Sequence, residues 1–192
     1  MHHKALRLWA LGLILAGCGG MATADPGCAG LPEIEEIRVE HLGKLNAIRV
    51  REDKSRLIGD TTLDRIAQDY ACLLARTGHF DHTGPDGSTP GTRAEAGGYR
   101  YCRLAENLAK GYMSIDTVLA GWVRSPGHLR NIRMDGVDEI GFGVAYAAEG
   151  AEPAPAGPGS LSALAETLDG KPRSKVLPRR NYVWVQVFGR PC

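Results

Sequence analysis

At 192 residues the chain is long enough to bury one sizeable core, and a single domain is expected. Its 43% hydrophobic and 23% charged residues are ordinary globular values, which excludes wholesale disorder. The formal net charge is +1, and no basic stripe interleaved with aromatics runs through the core segments, so nucleic acid is not an expected partner.

The chain opens "MHHKALRLWALGLILAGCGGMATADPGC". Lys4 and Arg7 precede an apolar run from Leu8 to Ala16, too short to span a bilayer and the right length for a signal-peptide core. A signal peptide is therefore expected over residues 1–24 and a linker over 25–32. Two exits compete. "LAGC" at Leu15–Cys18 has the form of a lipobox, cut before a cysteine that receives lipid, whereas "ATA" at Ala22–Ala24 has the form of an ordinary signal peptidase site. The lipobox abuts the apolar run and is preferred, which makes Cys18 the lipidated residue and confines membrane contact to a lipid anchor. That exit implies a periplasmic or outer-membrane lipoprotein; the other implies secretion. Cys28, Cys72, Cys102 and Cys192 then remain, and four cysteines in an oxidising compartment imply two disulfides with three connectivities.

Pro32 opens a helical pattern through Ile34, Ile37, Leu45 and Ile48, ending near Arg51. In "TTLDRIAQDYACLLARTG", Leu63, Ile66, Ala67, Tyr70, Leu74 and Thr77 form the next apolar stripe, with Thr61 and Asp64 as a capping box and Gly78 at C′. Cys72 lies half a turn off that stripe, so its disulfide should tie another segment across the back of the helix. Cys102 and Cys28 are the candidates, with Cys102 preferred. The loop "HFDHTGPDGSTP" follows, and Thr89-Pro90 starts a short helix ending at Gly97-Gly98.

"AENLAKG" reads as a short strand. Ser114 caps a helix with Ile115, Val118, Leu119 and Trp122 on one face, broken at Pro126-Gly127. "DEIGFGVAY" alternates Ile140, Phe142, Val144 and Tyr146 with Gly141, Gly143 and Ala145, so something must pack closely on the small-residue face. "YVWVQVFG" is apolar on both faces and needs a layer above and below it. The fold class expected is α/β, of the α+β kind: a three-layer α–β–α sandwich around a small, mainly antiparallel three-stranded sheet. It would run over residues 33–192, with a flexible Pro/Gly/Ala-rich insertion at about 148–180 that ends in Lys171, Arg173, Lys175, Arg179 and Arg180 and reads as a solvated loop.

"FDHTGPDG", "AENLAKG", "GWVRSPGHLRNI", "EIGFGVAY" and "YVWVQVFG", in this order, closely resemble the CAP superfamily of cysteine-rich secretory proteins, antigen 5 and pathogenesis-related proteins, in its bacterial SCP-like branch. The resemblance runs from Ile34 to Gly189 and takes in "KLNAIR" and "AGGYRYC". It implies the same sandwich and a cleft lined by two histidines and two acids. Carried over by position, the cleft residues are His82, Glu106 and His128, with His79 left at the helix end. Two positions depart from the pattern: Ala105 replaces a glycine, and Ser125 stands where animal and plant members carry the second acid.

Two imidazoles and one carboxylate can ligate Zn²⁺ or another divalent cation and leave a position for water, as a Lewis-acid hydrolase requires. The same trio can instead be a buried polar network joining three loops. No nucleophile or oxyanion donor can be named: Ser125-Pro126-Gly127 reads as a helix stop, and Asp86 as a turn residue rather than half of a carboxylate pair. A non-catalytic binding module for an envelope ligand, lipid or cell-wall polymer, is therefore expected. The alternative is a metal-assisted hydrolase of peptide or wall polymer using the same cleft.

Overall fold

The computed structural model describes residues 28–147, 176–178 and 180–192; the expected leader, Cys18 and most of the insertion lie outside the described residues. In chain order the elements are β1 (Cys28–Gly30), α1 (Ile34–Arg51), β2 (Ile58–Gly59), α2 (Thr61–Thr77), α3 (Pro90–Ala96), β3 (Tyr101–Lys110), α4 (Ile115–Arg124), α5 (Pro126–Ile132), β4 (Glu139–Ala147) and β5 (Val183–Pro191). None of these helices is long and apolar enough to cross a membrane.

One sheet divides the domain into two cores. Its order is β1-β4-β5-β3, all antiparallel, and β2 joins β4 in parallel. The expected three strands are β3, β4 and β5; β1 and β2 were absent from the sequence reading because two or three residues carry no periodicity. The sheet is therefore five-stranded and mixed. The two-faced reading of β5 holds: Tyr182, Trp184 and Phe188 enter the core shared with α1, α4 and α5, while Val183, Val185 and Val187 enter the core under α2 and α3. Trp122 and Trp184 are both core residues.

The helices follow their local chemistry. On α1, Ile37, His41, Leu45 and Ile48 form the buried stripe. Buried Arg49 donates to the carbonyls of Ser55 at 2.7 Å and Ile132 at 2.6 Å, tying the end of α1 to that of α5. Asp60, rather than Thr61, caps α2 by accepting from the Leu63 N–H at 2.8 Å, and Gly78 closes it at φ 69°. The predicted α2 stripe is buried apart from Thr77, which is exposed. Pro126 ends α4 but also occupies the first position of α5, a helix the sequence did not announce. A proline is equally suited to both places.

α2 lies against the small-residue face of β4. A Cβ at Gly141 would overlap the backbone of Leu63 and Asp64, and one at Gly143 that of Ala67 and Gln68. Helix backbone cannot swing aside as a side chain can. Gly143→Ala is therefore expected to cost about 1–3 kcal/mol in urea unfolding; an unchanged midpoint would mean that α2 rides further from the sheet.

The preferred Cys72–Cys102 pairing is corrected. Cys102 bonds Cys192, with Cα atoms 4.8 Å apart. The cause is strand order: β3 and β5 are antiparallel neighbours, with Tyr101 opposite Pro191, so the start of one meets the end of the other. Cys72 is also disulfide-bonded, to a residue other than Cys102. After the insertion, Leu177 is buried and donates its N–H to the Met113 carbonyl at 2.8 Å, and Arg180 lies over the Tyr146 ring.

Candidate functional site

His82 comes from the loop after α2, whose turn chemistry is local. The Tyr70 hydroxyl donates to the Asp81 carbonyl at 2.6 Å, the Asp81 carboxylate accepts from the Thr83 N–H, and Asp86 accepts from the Ser88 N–H, as befits a turn residue. His79 is exposed and donates from Nε2 to the Thr83 carbonyl at 2.8 Å, bracing the same turn. Glu106 projects from the middle of β3, where it pairs with Val187, and its side chain is 2% exposed. The structure brings these two together: His82 Nδ1 donates to Glu106 Oε1 at 2.8 Å.

The other carboxylate oxygen is also taken. Arg93 on α3 donates to Glu106 Oε2 at 2.8 Å and to the His82 carbonyl at 3.1 Å. Its second amino group reaches the Ser88 carbonyl at 2.9 Å, and its guanidinium lies 3.3 Å over the Tyr70 ring. Arg93 is 10% exposed, so Glu106 is a buried charge balanced by a nearly buried one. Arg93 was not among the residues expected from the sequence. A carboxylate expected to be buried calls for a cation, but Arg93, Arg100 and Arg103 all lie between His82 and Glu106, and spacing does not choose among them.

His128 lies on α5 and is half-buried. Burial lowers the pKa of its ring, and the charge on His82 lowers it further, so the two imidazoles sit within each other's field. His82 is shifted the other way: the Glu106 hydrogen bond raises it, against opposing desolvation. A raised histidine contributes stability that is present below the ordinary value of about 6.5 and lost as pH rises through the folded value. Ser125 joins α4 to α5 through its backbone, donating to the Trp122 carbonyl and accepting from the Leu129 N–H, while its hydroxyl makes no cap bond.

From the Glu106 backbone a polar relay runs into the core. Asn131 donates to the Glu106 carbonyl and to Asn107 Oδ1, Asn107 to the His128 carbonyl and to Gln186 Oε1, and Gln186 to His41 Nε2 at 2.7 Å. Asn107 and Asn131 thus satisfy backbone carbonyls and each other. His41, stacked on Phe142, accepts through Nε2 and is neutral, its pKa lowered to about 3 by desolvation. A depressed histidine binds fewer protons folded than unfolded, so stability falls as pH drops below about 6.5. His41 should cost about 2 kcal/mol by pH 5, and a His41→Gln variant should flatten that limb of a stability–pH curve. An equally steep limb in the variant would assign acid lability elsewhere.

Among the described residues no three His, Cys, Asp or Glu side chains form a group that could hold a metal. The donor set explains why. Glu106 has both oxygens committed, and His82 has spent Nδ1, which leaves His82 Nε2 and the His128 ring. Two nitrogens beside a guanidinium are short of the three protein ligands that catalytic zinc takes.

The family model of the cysteine-rich secretory protein (CAP) family matches residues 42–167, more than half of the chain. The chain belongs to the CAP family. It is 31% identical over 98 residues to the uncharacterized protein YkwD of Bacillus subtilis (strain 168), a match covering 51% of this chain and 38% of that relative. The CAP protein thus spans under two fifths of that relative's length. Among solved structures it is similar to an outer surface protein from Borrelia burgdorferi, with a TM-score of 0.62, 20% identity, and 86% and 99% of the two chains covered. It is also similar to an extracellular protein containing an SCP domain from Bacillus anthracis str. Ames, with a TM-score of 0.57, 20% identity, and 81% and 41% covered. At these identities the structural likenesses show the fold: the α–β–α sandwich of CAP domains.

Proposed function

We propose that this CAP protein is exported to the bacterial envelope and acts there as a non-catalytic binding module, its cleft receiving an oxygen-rich group of an envelope ligand, either cell-wall polymer or lipid. Export is supported by Lys4, Arg7 and the apolar run Leu8–Ala16, and the lipobox ending at Cys18 favours a lipid anchor. Its structural relatives include an outer surface protein and an extracellular one, which agrees with that placement.

The observation that carries the binding reading is the pairing of Glu106 with both Arg93 and His82. It engages both carboxylate oxygens of a side chain that is 2% exposed, so the carboxylate is turned inward rather than presented to a substrate for acid–base work. It also turns the half-exposed His82 outward, with Nε2 able to donate to an acceptor once the ring is protonated. Acidification should then strengthen binding of an anionic group. The metal-assisted hydrolase would have to build its centre on two imidazoles, and the fixed Arg93 charge opposes a cation there.

Cosedimentation with purified, insoluble cell wall tests the reading. Saturable binding is expected, about tenfold weaker in His82→Ala, with an unchanged circular dichroism spectrum. Indifference to His82→Ala would remove the cleft from binding. Release of soluble wall fragments that His82→Ala abolishes would establish a hydrolase instead.

A further inference from the structure

We propose that a second site, independent of the His82 cleft, binds a phosphate group carried on an apolar stem. It is a groove of about 780 Å³ that contains none of the cleft residues, formed where α4 meets α5 and the Met134–Asp135 turn. Four cations line it, Lys54, Arg124, Arg130 and Arg133, against the single carboxylate of Asp135. The excess is local, since the whole chain has a formal net charge of only +1.

The four cations are not equivalent. Lys54 is held by Asp135 at 2.8 Å, and Arg133 pairs with Glu52. Arg124 and Arg130 are exposed, and among the described residues neither side chain has an ion pair or hydrogen bond. They stand on two helices joined through Ser125 alone, whose backbone bonds to Trp122 and Leu129 fix the corner. Two guanidinium groups converge on one groove with no acceptor of their own. Each offers a planar fork matched to a tetrahedral oxyanion.

The floor decides what carries the anion. Val123, Leu129 and Met134 line the groove, are half-buried, and pack on the main core, so the apolar surface is fixed in place. Free phosphate would satisfy the arginines and leave that surface wet, whereas an alkyl stem would cover it. The volume suits a small-molecule site. Phosphate on an apolar stem describes both a membrane lipid headgroup and a soluble phosphorylated amphiphile, which the test separates.

The probes are hexyl phosphate, inorganic phosphate and hexyl glucoside, titrated calorimetrically into the purified protein. One-site binding of hexyl phosphate is expected, with inorganic phosphate at least about tenfold weaker and hexyl glucoside without saturable heat. Replacing both Arg124→Gln and Arg130→Gln should weaken hexyl phosphate by about tenfold or more without lowering the melting temperature, while His82→Ala should leave it unchanged. Cosedimentation with phosphatidylglycerol vesicles but not phosphatidylcholine vesicles would assign the source to membrane lipid; hexyl phosphate binding without vesicle binding would assign it to a soluble ligand. The proposal is overturned by absence of saturable hexyl phosphate binding, by equal binding of hexyl glucoside, or by a double variant that binds like the wild type. Because His82→Ala separates the two sites, failure here leaves the cleft reading standing, and the reverse.

Discussion

Arg93→Ala is expected to destabilise the domain by about 3–5 kcal/mol in urea unfolding, the range for breaking a buried ion pair from one side. The cost is that of the partner left behind. Glu106 is 2% exposed and would keep only the His82 hydrogen bond, while the loop carrying Ser88 and His82 would lose its donors to two carbonyls. Arg93→Lys restores the charge but neither the fork to Glu106 and Ser88 nor the stacking on Tyr70, so it should recover part of the loss. A wild-type midpoint for Arg93→Ala would mean that Glu106 is balanced from another direction, and the description of the cleft would fail with it.

Removing the Cys102–Cys192 disulfide carries an effect of the same size. The bridge closes a loop with a sequence separation of 90, for which chain entropy alone gives about 4.6 kcal/mol. Cys102→Ser with Cys192→Ser should lower the unfolding free energy by roughly that amount. The native state should survive, because the β3–β5 ladder continues from Arg103 to Lys110 without the bridge. An unaltered midpoint would show that the reduced unfolded chain already holds these ends together.

What could be read from the chain and what could not divides along a physical line. Periodicity shows where a residue points, so the two faces of β5, the α2 stripe and the close approach over Gly141 and Gly143 were all legible. It does not show which strand lies beside which. The helical phase of Cys72 placed it off the stripe correctly, yet the pairing depended on β3 lying next to β5, and Cys102 went to Cys192. Elements of two or three residues leave no period at all, and Pro126 marks a stop and a start with the same chemistry. In the cleft, the family resemblance supplied His82, Glu106 and His128. Arg93 escaped because an ion pair across elements depends on tertiary placement. Ser125 stands where the resemblance places the second acid of animal and plant members, and the structure gives it a backbone corner to hold.

His82 is held by a buried Glu106 whose charge Arg93 balances. An NMR titration of the histidine rings in the wild type and in Glu106→Gln tests this most directly. His82 is expected to titrate above about 6.5 in the wild type and His128 below it. In Glu106→Gln the His82 value should fall while that of His41 stays far down. A His82 that titrates identically in both proteins, or at or below its ordinary value in the wild type, would contradict this picture of the cleft.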